Sequence, residues 1–387
     1  MIFILIAKVE DGTFIMLSTK MQRAYLREWR KSTTFLCPQC NRKVYLKVGD
    51  INRPHFAHEN DASCSAAFSE GESQNHIQGK EQLFNFLRGL IKDVKLEPYF
   101  KELAQRPDLL VTINKKLFPI EFQCSTISIP QIEIRTAGYE SAGMNPVWLL
   151  HTPEKLKKIP QGVQKVYFSR FEESFFTNTG SEGLILLTYD PQHERFHYFS
   201  TLQYVVGKQY IGTHRILPIT KQIFPFARPK NPSSIEYQRY YYLFKQMRRK
   251  FLHATIFTNR KGINNPFLRK CYELRIIPSE LPQWIGIPIP FQNPFFEHSC
   301  EWQLAFVYYF NKQRSSLRKI TIGEIKRFVQ DFEGPFEKQV SACVEYRNFL
   351  LVSDIELADF NAKIDEEKLI KYLLSQCLQS GMKIEKM

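Results

Sequence analysis

The 387-residue chain has no apolar run approaching the roughly 18 residues a membrane-spanning helix needs, so bilayer insertion is not expected. Its opening stretch, Met1-Ile-Phe-Ile-Leu-Ile-Ala7, is apolar but short, lacks a basic leader and meets Lys8 at once. It reads as a first strand and not as a secretory signal. Cysteine is sparse: eight residues, clustered near the start and scattered elsewhere. That distribution argues against a disulfide framework and fits a metal site plus reduced thiols in a reducing compartment, the cytoplasm. Internal repeats and long low-complexity segments are missing as well. Acids are nearly missing from one stretch: residues 208–270 hold fourteen Lys or Arg against a single acid, Glu236, in a chain whose net charge is +14. Nearly all the excess charge therefore sits there. Such a block suits phosphate binding through counterion release. The aromatics interleaved with it (Tyr237, Tyr240, Tyr241, Tyr242, Phe244) favour nucleic acid over a merely solvated or membrane-facing patch. Within and beside this block the candidate DNA contacts are Lys245, Arg248, Arg249, Lys250, Arg260 and Lys261.

The remaining composition is that of an ordinary globular protein, too long for one compact core. Four segments are expected. Residues 1–68 hold a strand pair around Glu10-Asp11-Gly12, a short basic helix and a Cys/His-rich unit. Residues 69–155 read as an α/β core. A helix spans about 69–92 with Leu83, Phe84, Leu87, Leu90 and Ile91 on one face. Strands follow near 94–97, 108–113 and 117–122, then a second helix near 130–143 and a buried strand near 147–150. Pro130 at the first turn and Gly143 past the last suit that second helix. Residues 156–233 form a strand-rich connecting region. Residues 234–387 form a basic, mainly helical C-terminal region, with helices expected near 234–253, 301–313, 322–331, 336–351 and 364–380.

Two clusters carry chemistry. In the first, Cys37-Pro-Gln-Cys40 precedes His55-Phe-Ala-His58 and Cys64. A C-x2-C turn places two thiolates where one tetrahedral ion takes both, and two later ligands close the site. The intervening Val44-Tyr-Leu-Lys-Val48 and Gly49-Asp50 suit the hairpin of a zinc ribbon. Five candidates compete for four positions. Cys37, Cys40, His58 and Cys64 are the expected ligands of a structural Zn²⁺, with His55 as the alternative to His58. In the second cluster, Arg106-Pro107-Asp108 leads to Asn114-Lys115 and then to Glu121-Phe122-Gln123. A two-residue turn at Asn114-Lys115 sets Asp108 opposite Glu121 across a hairpin, their side chains on one face. Two like charges so opposed need a cation between them, and a divalent metal is the natural candidate.

The D…E-x-Q set, in its helix–three strands–helix–strand frame, resembles the PD-(D/E)XK nuclease fold. That resemblance implies that Asp108 and Glu121, with the Phe122 carbonyl, hold a catalytic Mg²⁺ or Mn²⁺. It gives Gln123 the motif position usually held by a water-positioning Lys. Glu72, His76 and Lys80 share a helix face at i, i+4, i+8. Related nucleases carry a helical acid near the metal, which selects Glu72. Lys80 is placed to supply the charge Gln123 lacks, whereas His76 reads as a helix-surface residue. Arg135 and Tyr139 are again one turn apart, and Arg135 is a candidate phosphate contact, with pairing to Glu133 or another neighbouring acid as the alternative.

Taken together, CPxC…HFAH…C, then Glu72-Ser-x-x-His76-x-x-x-Lys80, Pro107-Asp108 and Glu121-Phe-Gln123, over about residues 35–140, resemble the competence protein CoiA family of Gram-positive bacteria. The resemblance implies a cytosolic protein of natural transformation. Its implied partners are single-stranded DNA or recombination intermediates and a RecA-type recombinase. Two activities fit: metal-dependent hydrolysis of DNA, or a mediator that binds DNA and recombinase and cuts nothing.

Overall fold

Six short strands open the chain and form one antiparallel sheet: β1 (Phe3–Ile4), β2 (Ile6–Val9), β3 (Phe14–Met16), β4 (Phe35–Leu36), β5 (Lys43–Lys47) and β6 (His55–Ala57), in spatial order β1-β6-β5-β4-β2-β3. The computed structural model describes residues 3–17, 21–38, 40–51, 53–58, 73–178, 184–230, 232–289, 294–362 and 364–365. β2 and β3 are the expected first pair, with Ile6 opposite Met16. Gly12 stands in their turn at φ 90°, a conformation that costs glycine nothing. β5 shows strand alternation in full, Val44 and Leu46 buried between exposed Lys43, Tyr45 and Lys47. The basic helix α1 (Arg23–Ser32) buries Leu26.

The core that follows has the expected order: α2 (Gln74–Leu90), β7 (Val94–Leu96), β8 (Leu109–Ile113), β9 (Lys116–Gln123), α3 (Ile129–Ser141) and β10 (Val147–His151). Ser73 caps α2 by accepting the His76 N–H. Residues 69–72, where the helix was expected to begin, lie outside the described residues. α2 buries Ile77, Leu83, Phe84 and Leu87. Leu90, expected on the same face, is 53% exposed because the helix ends there. α3 opens on a capping box between Ser128 and Gln131, and Gly143 beyond it has φ 72°. Between β8 and β9 the register is the expected one, Leu109 opposite Ile120 through Ile113 opposite Lys116. The two turn residues, Asn114 and Lys115, have φ of 50° and 65°, as a tight hairpin turn of this twist requires. β10 then runs parallel to β9, Trp148 opposite Glu121. α2 lies so close to this sheet that a Cβ on Gly79 would come within 2.1 Å of the Phe122 ring.

Beyond β10 come α4 (Glu154–Lys157), β11 (Gly162–Tyr167), α5 (Arg170–Glu173), β12 (Thr177–Asn178), β13 (Leu184–Asp190), β14 (Arg195–Val206) and β15 (Gln209–Pro218). The helices α6 (Ser234–Phe257), α7 (Pro266–Glu273), α8 (Ser299–Lys312), α9 (Ile322–Val329) and α10 (Phe336–Val352) complete the described elements. The chain divides into two units, residues 1–157, 187–197 and 216–227 in one, and 158–186, 198–215 and 228–387 in the other. In the first, the strand order is β7-β8-β9-β10-β13, with β13 parallel to β10 at Leu150 opposite Thr188. In the second, it is β11-β15-β14-β13. There α6 packs Leu243, Phe244 and Met247 onto Val163, Val205 and Ile211. An apolar core around Trp284, Phe306, Phe328 and Tyr346 joins the C-terminal helices. The helix expected near 364–380 lies outside the described residues, apart from Ile364 and Asp365. Among the described residues, no helix is long and apolar enough to cross a membrane.

Candidate functional site

Asp108 stands one residue before β8, where the hairpin register brings it to the level of Glu121 on β9. Its side chain is 13% exposed and turns toward α2. Oδ2 lies 3.0 Å from His76 Nε2 and accepts the Phe122 N–H at 2.8 Å, and Oδ1 lies 3.6 Å from Lys80 Nζ. His76 and Lys80 are one helical turn apart, so α2 presents both to the same carboxylate. Lys80 is fully buried and donates to Glu97 Oε1 at 2.5 Å. Glu97 is a site residue that sequence reasoning missed. It ends the β7 segment at φ 49°, and its own N–H donates to the Asp108 carbonyl at 2.9 Å.

Glu121 points to the other helix. It is 3% exposed, and its Oε1 accepts from the Tyr139 hydroxyl at 2.5 Å and from the Arg135 guanidinium, both on α3. Arg135 also lies over Trp148, 5.5 Å from the ring centroid, and the Trp148 indole N–H donates to Thr136 Oγ1 at 2.9 Å. Of the two readings of Arg135, a phosphate contact or a pair with a neighbouring acid, the structure shows the second, with Glu121 and not Glu133 as the acid. Each acid thus faces a cation of the chain, Lys80 beside Asp108 and Arg135 on Glu121.

The two carboxyls end with opposite proton affinities. Burial disfavours the Asp108 charge, but His76, Lys80 and the Phe122 N–H outweigh it and hold Asp108 well below the usual carboxylate range. Burial pushes Glu121 up to about 7 against the pull of Arg135, with the Asp108 charge adding to the rise. Each carboxylate uses one oxygen for its hydrogen bonds. Among the described residues, Asp108 Oδ1 and Glu121 Oε2 make none. Gln123 is not joined to this pair through its amide nitrogen, which donates to Ser125 O at 2.8 Å and Ser125 Oγ at 3.2 Å. Glu72 lies outside the described residues.

In the N-terminal sheet, Cys37, Cys40 and His58 come together with their ligating atoms within 4.8 Å of one another. A tight turn makes this possible. Asn41, at φ 55°, donates to the Cys37 carbonyl at 2.9 Å, and the Cys37 N–H donates to Arg42 O at 2.8 Å. Cys40 Sγ is 3.9 Å from His58 Nε2. The buried His58 Nδ1 has no hydrogen-bond partner among the described residues. Burial, helped by Arg106 and Arg42, lowers the His58 pKa and keeps the ring neutral, as a metal ligand must be. His55 is held apart, Nδ1 2.9 Å from the Arg53 carbonyl. Cys64 lies outside the described residues.

A family model described as the nuclease-like domain of competence protein CoiA matches residues 72–230, and one described as the N-terminal domain of competence protein CoiA matches residues 18–67. Competence protein CoiA of Bacillus subtilis strain 168 is 30% identical to the chain over 289 residues, covering 72% of this chain and 72% of that protein. The chain belongs to the competence protein CoiA family. No solved structure matches it. In this CoiA-family chain the carboxylate hairpin falls within the nuclease-like domain, and the Cys37–Cys40–His58 cluster within the N-terminal domain.

The basic residues beyond residue 230 divide by environment. Arg249, Lys250, Arg260 and Lys261 are exposed. Lys245 is half-buried, with Nζ 4.5 Å from the Tyr241 ring centroid. Arg248 departs from the expectation of a DNA contact. Its guanidinium donates to the carbonyls of Leu281 and Pro282 at 2.8 Å and of Ile285 at 3.0 Å, and so anchors the 281–285 segment to α6.

Proposed function

We propose that the protein processes DNA during natural transformation, and that its nuclease-like domain is a PD-(D/E)XK-type, divalent-metal-dependent phosphodiester hydrolase. One observation carries the reading: the hairpin brings Asp108 and Glu121 to one level, with Glu121 Oε2 making no hydrogen bond among the described residues and Asp108 Oδ1 facing only the Lys80 ammonium at 3.6 Å. Two such oxygens fit a hard cation, and Asp108 and Glu121 would hold Mg²⁺ or Mn²⁺. Bound there, the ion supplies charge neutralisation at the scissile phosphate and a lowered pKa for an attacking water. His76 and Lys80 keep Asp108 ionised and fix its rotamer. Arg135 and Tyr139 fix Glu121, whose burial raises its proton affinity, so it joins Asp108 as an anion only on losing that proton. Lys80 sets a positive charge beside Asp108, offsetting the Gln at position 123, while Gln123 holds the loop after β9 through Ser125. The family likeness supports the setting, a cytosolic protein acting on incoming DNA alongside a RecA-type recombinase.

Cys37, Cys40 and His58, with Cys64 as fourth ligand, would hold a structural Zn²⁺. A donor set of thiols and a neutral imidazole suits that ion. Cys40→Ser is expected to lose about one zinc per chain by elemental analysis; unchanged zinc content would remove the assignment.

A second reading has its own support. Both carboxylates carry cations of the chain, and Gln123 directs its amide at Ser125. That arrangement favours a mediator that binds DNA and recombinase without cutting. Cleavage of labelled single- and double-stranded DNA with Mg²⁺ or Mn²⁺ separates the two. Cutting lost in Asp108→Ala/Glu121→Ala supports hydrolysis. No cutting by folded, zinc-loaded, DNA-binding protein supports the mediator.

A further inference from the structure

Arg53 stands on the segment that enters β6, ahead of His58, and bonds in two directions. Its carbonyl accepts from His55 Nδ1 at 2.9 Å, inside the N-terminal sheet. Its N–H donates to Gln74 Oε1 at 3.1 Å and its guanidinium to Glu81 Oε2 at 2.7 Å, both on α2. The Glu81 side chain is 6% exposed, so this pair holds a carboxylate that has little water to turn to. Gln74 and Glu81 are about two turns apart and share one face of α2. Between them in sequence lie His76 and Lys80, which reach Asp108 from roughly the opposite face. Arg53 therefore grips the helix at both ends of the stretch that serves Asp108.

A second line joins the same two places. Arg106 stands close enough to the His58 ring to help lower its proton affinity, and the chain then passes through Pro107 to Asp108. Nor does α2 have slack against the sheet: Gly79 lies under the Phe122 ring, and the Phe122 N–H is bonded to Asp108. Close-packed elements transmit displacement, and a metal-binding carboxylate tolerates only about 0.5 Å of it. We propose that Arg53 is a positioning residue that couples the two candidate metal centres. The Cys37–Cys40–His58 turn, once metal-loaded, fixes the entry to β6; Arg53 carries that constraint to α2, and α2 presets Asp108 for a divalent cation. The inference rests on the reading of Asp108 and Glu121 as a cation site. Such coupling is reciprocal, each ion raising the affinity of the other by the same factor.

The test is Mn²⁺ titration of the full-length, zinc-loaded protein, read by electron paramagnetic resonance. Arg53→Met is expected to weaken Mn²⁺ binding about fivefold or more while zinc content is unchanged, and Arg53→Lys, which keeps the ion pair, to recover most of the loss. Glu81→Gln cuts the same link from α2 and leaves every residue of the N-terminal module in place, so its Mn²⁺ affinity should fall in the same direction. Arg30→Met, which removes a charge from an exposed position on α1, is the control and should change nothing. From the other side, zinc affinity measured against a chelating dye should rise with saturating Mg²⁺ in the wild type, and the rise should vanish in Arg53→Met. Arg53→Met and Glu81→Gln binding Mn²⁺ as the control does would overturn the proposal and leave the cation site standing. A wild type with no Mn²⁺ site would instead remove the hydrolase reading. The coupling is then decided by the imidazole ¹⁵N resonance of His76, which zinc loading should shift in the wild type and not in Arg53→Met; no shift in either would end it.

Discussion

Asp108 and Glu121 occupy one level of one hairpin, yet they are opposites. Asp108 is served from α2 by an imidazole, a buried ammonium and a backbone N–H, and is held ionised. Glu121 is served from α3 by a guanidinium and a phenol in a drier place, and its pKa is pushed up to about 7. The strand register sets the two acids together; the helices on either side decide what each carboxyl does. The charges around Asp108 hold it ionised, and burial raises the proton affinity of Glu121, so one hairpin level carries two unlike carboxyls.

The largest effect is expected at Lys80. Lys80→Met removes a fully buried cation and leaves Glu97 without its partner in a dry place, so a loss of about 3–5 kcal/mol is expected in urea unfolding. Lys80→Met/Glu97→Gln should restore much of that loss, since no buried charge is then left alone. Arg135→Met, the corresponding change on the α3 side, should cost less, about 1–3 kcal/mol, because Glu121 escapes the lost partner by taking up a proton. Equal losses at the two positions would show that the two halves are not electrically distinct.

A finer test is the sign of the pH dependence. Asp108 has a folded pKa below its unfolded value of 3.8, so its contribution is present above that pH and is lost as pH falls. Glu121 is raised from 4.5 to about 7, so the folded state holds its proton more tightly; its contribution is fully present below 4.5 and is lost as pH rises toward 7. Each slope is at most about 1.4 kcal/mol per pH unit. Stability curves for Asp108→Asn should flatten on the acid side only, and those for Glu121→Gln between about pH 4.5 and 7 only. A flattening on the same side for both variants would contradict the assignment.

Much of this was legible in the sequence, and the limit has a physical shape. Asn114-Lys115 is a local signal that fixed the hairpin register, and Cys37-Pro-Gln-Cys40 is another that predicted the thiol turn. His55 and His58 could not be ranked from spacing. Three residues apart on an extended segment they face opposite ways, and only the pairing of β6 decides which faces the thiols. Glu97 gave no signal because its importance lies in Lys80, seventeen positions earlier in the chain and on a helix. For Arg135 the sequence left a phosphate and a neighbouring acid both open, and only the packing of α3 on β9 selects Glu121; Arg248 reads as a DNA contact, and its three backbone carbonyls are partners that composition does not encode. His76 shares a helix face with Lys80, so the periodicity was there, but the carboxylate opposite both was not.

If the unlike acids form one cation site, Mn²⁺ binding followed by electron paramagnetic resonance reports it. The zinc-loaded wild type at pH 8 should bind one Mn²⁺ that Asp108→Ala/Glu121→Ala does not, with affinity falling as pH is lowered and Glu121, its proton affinity raised by burial, takes up a proton. The same Mn²⁺ stoichiometry and affinity in wild type and double variant would contradict the account.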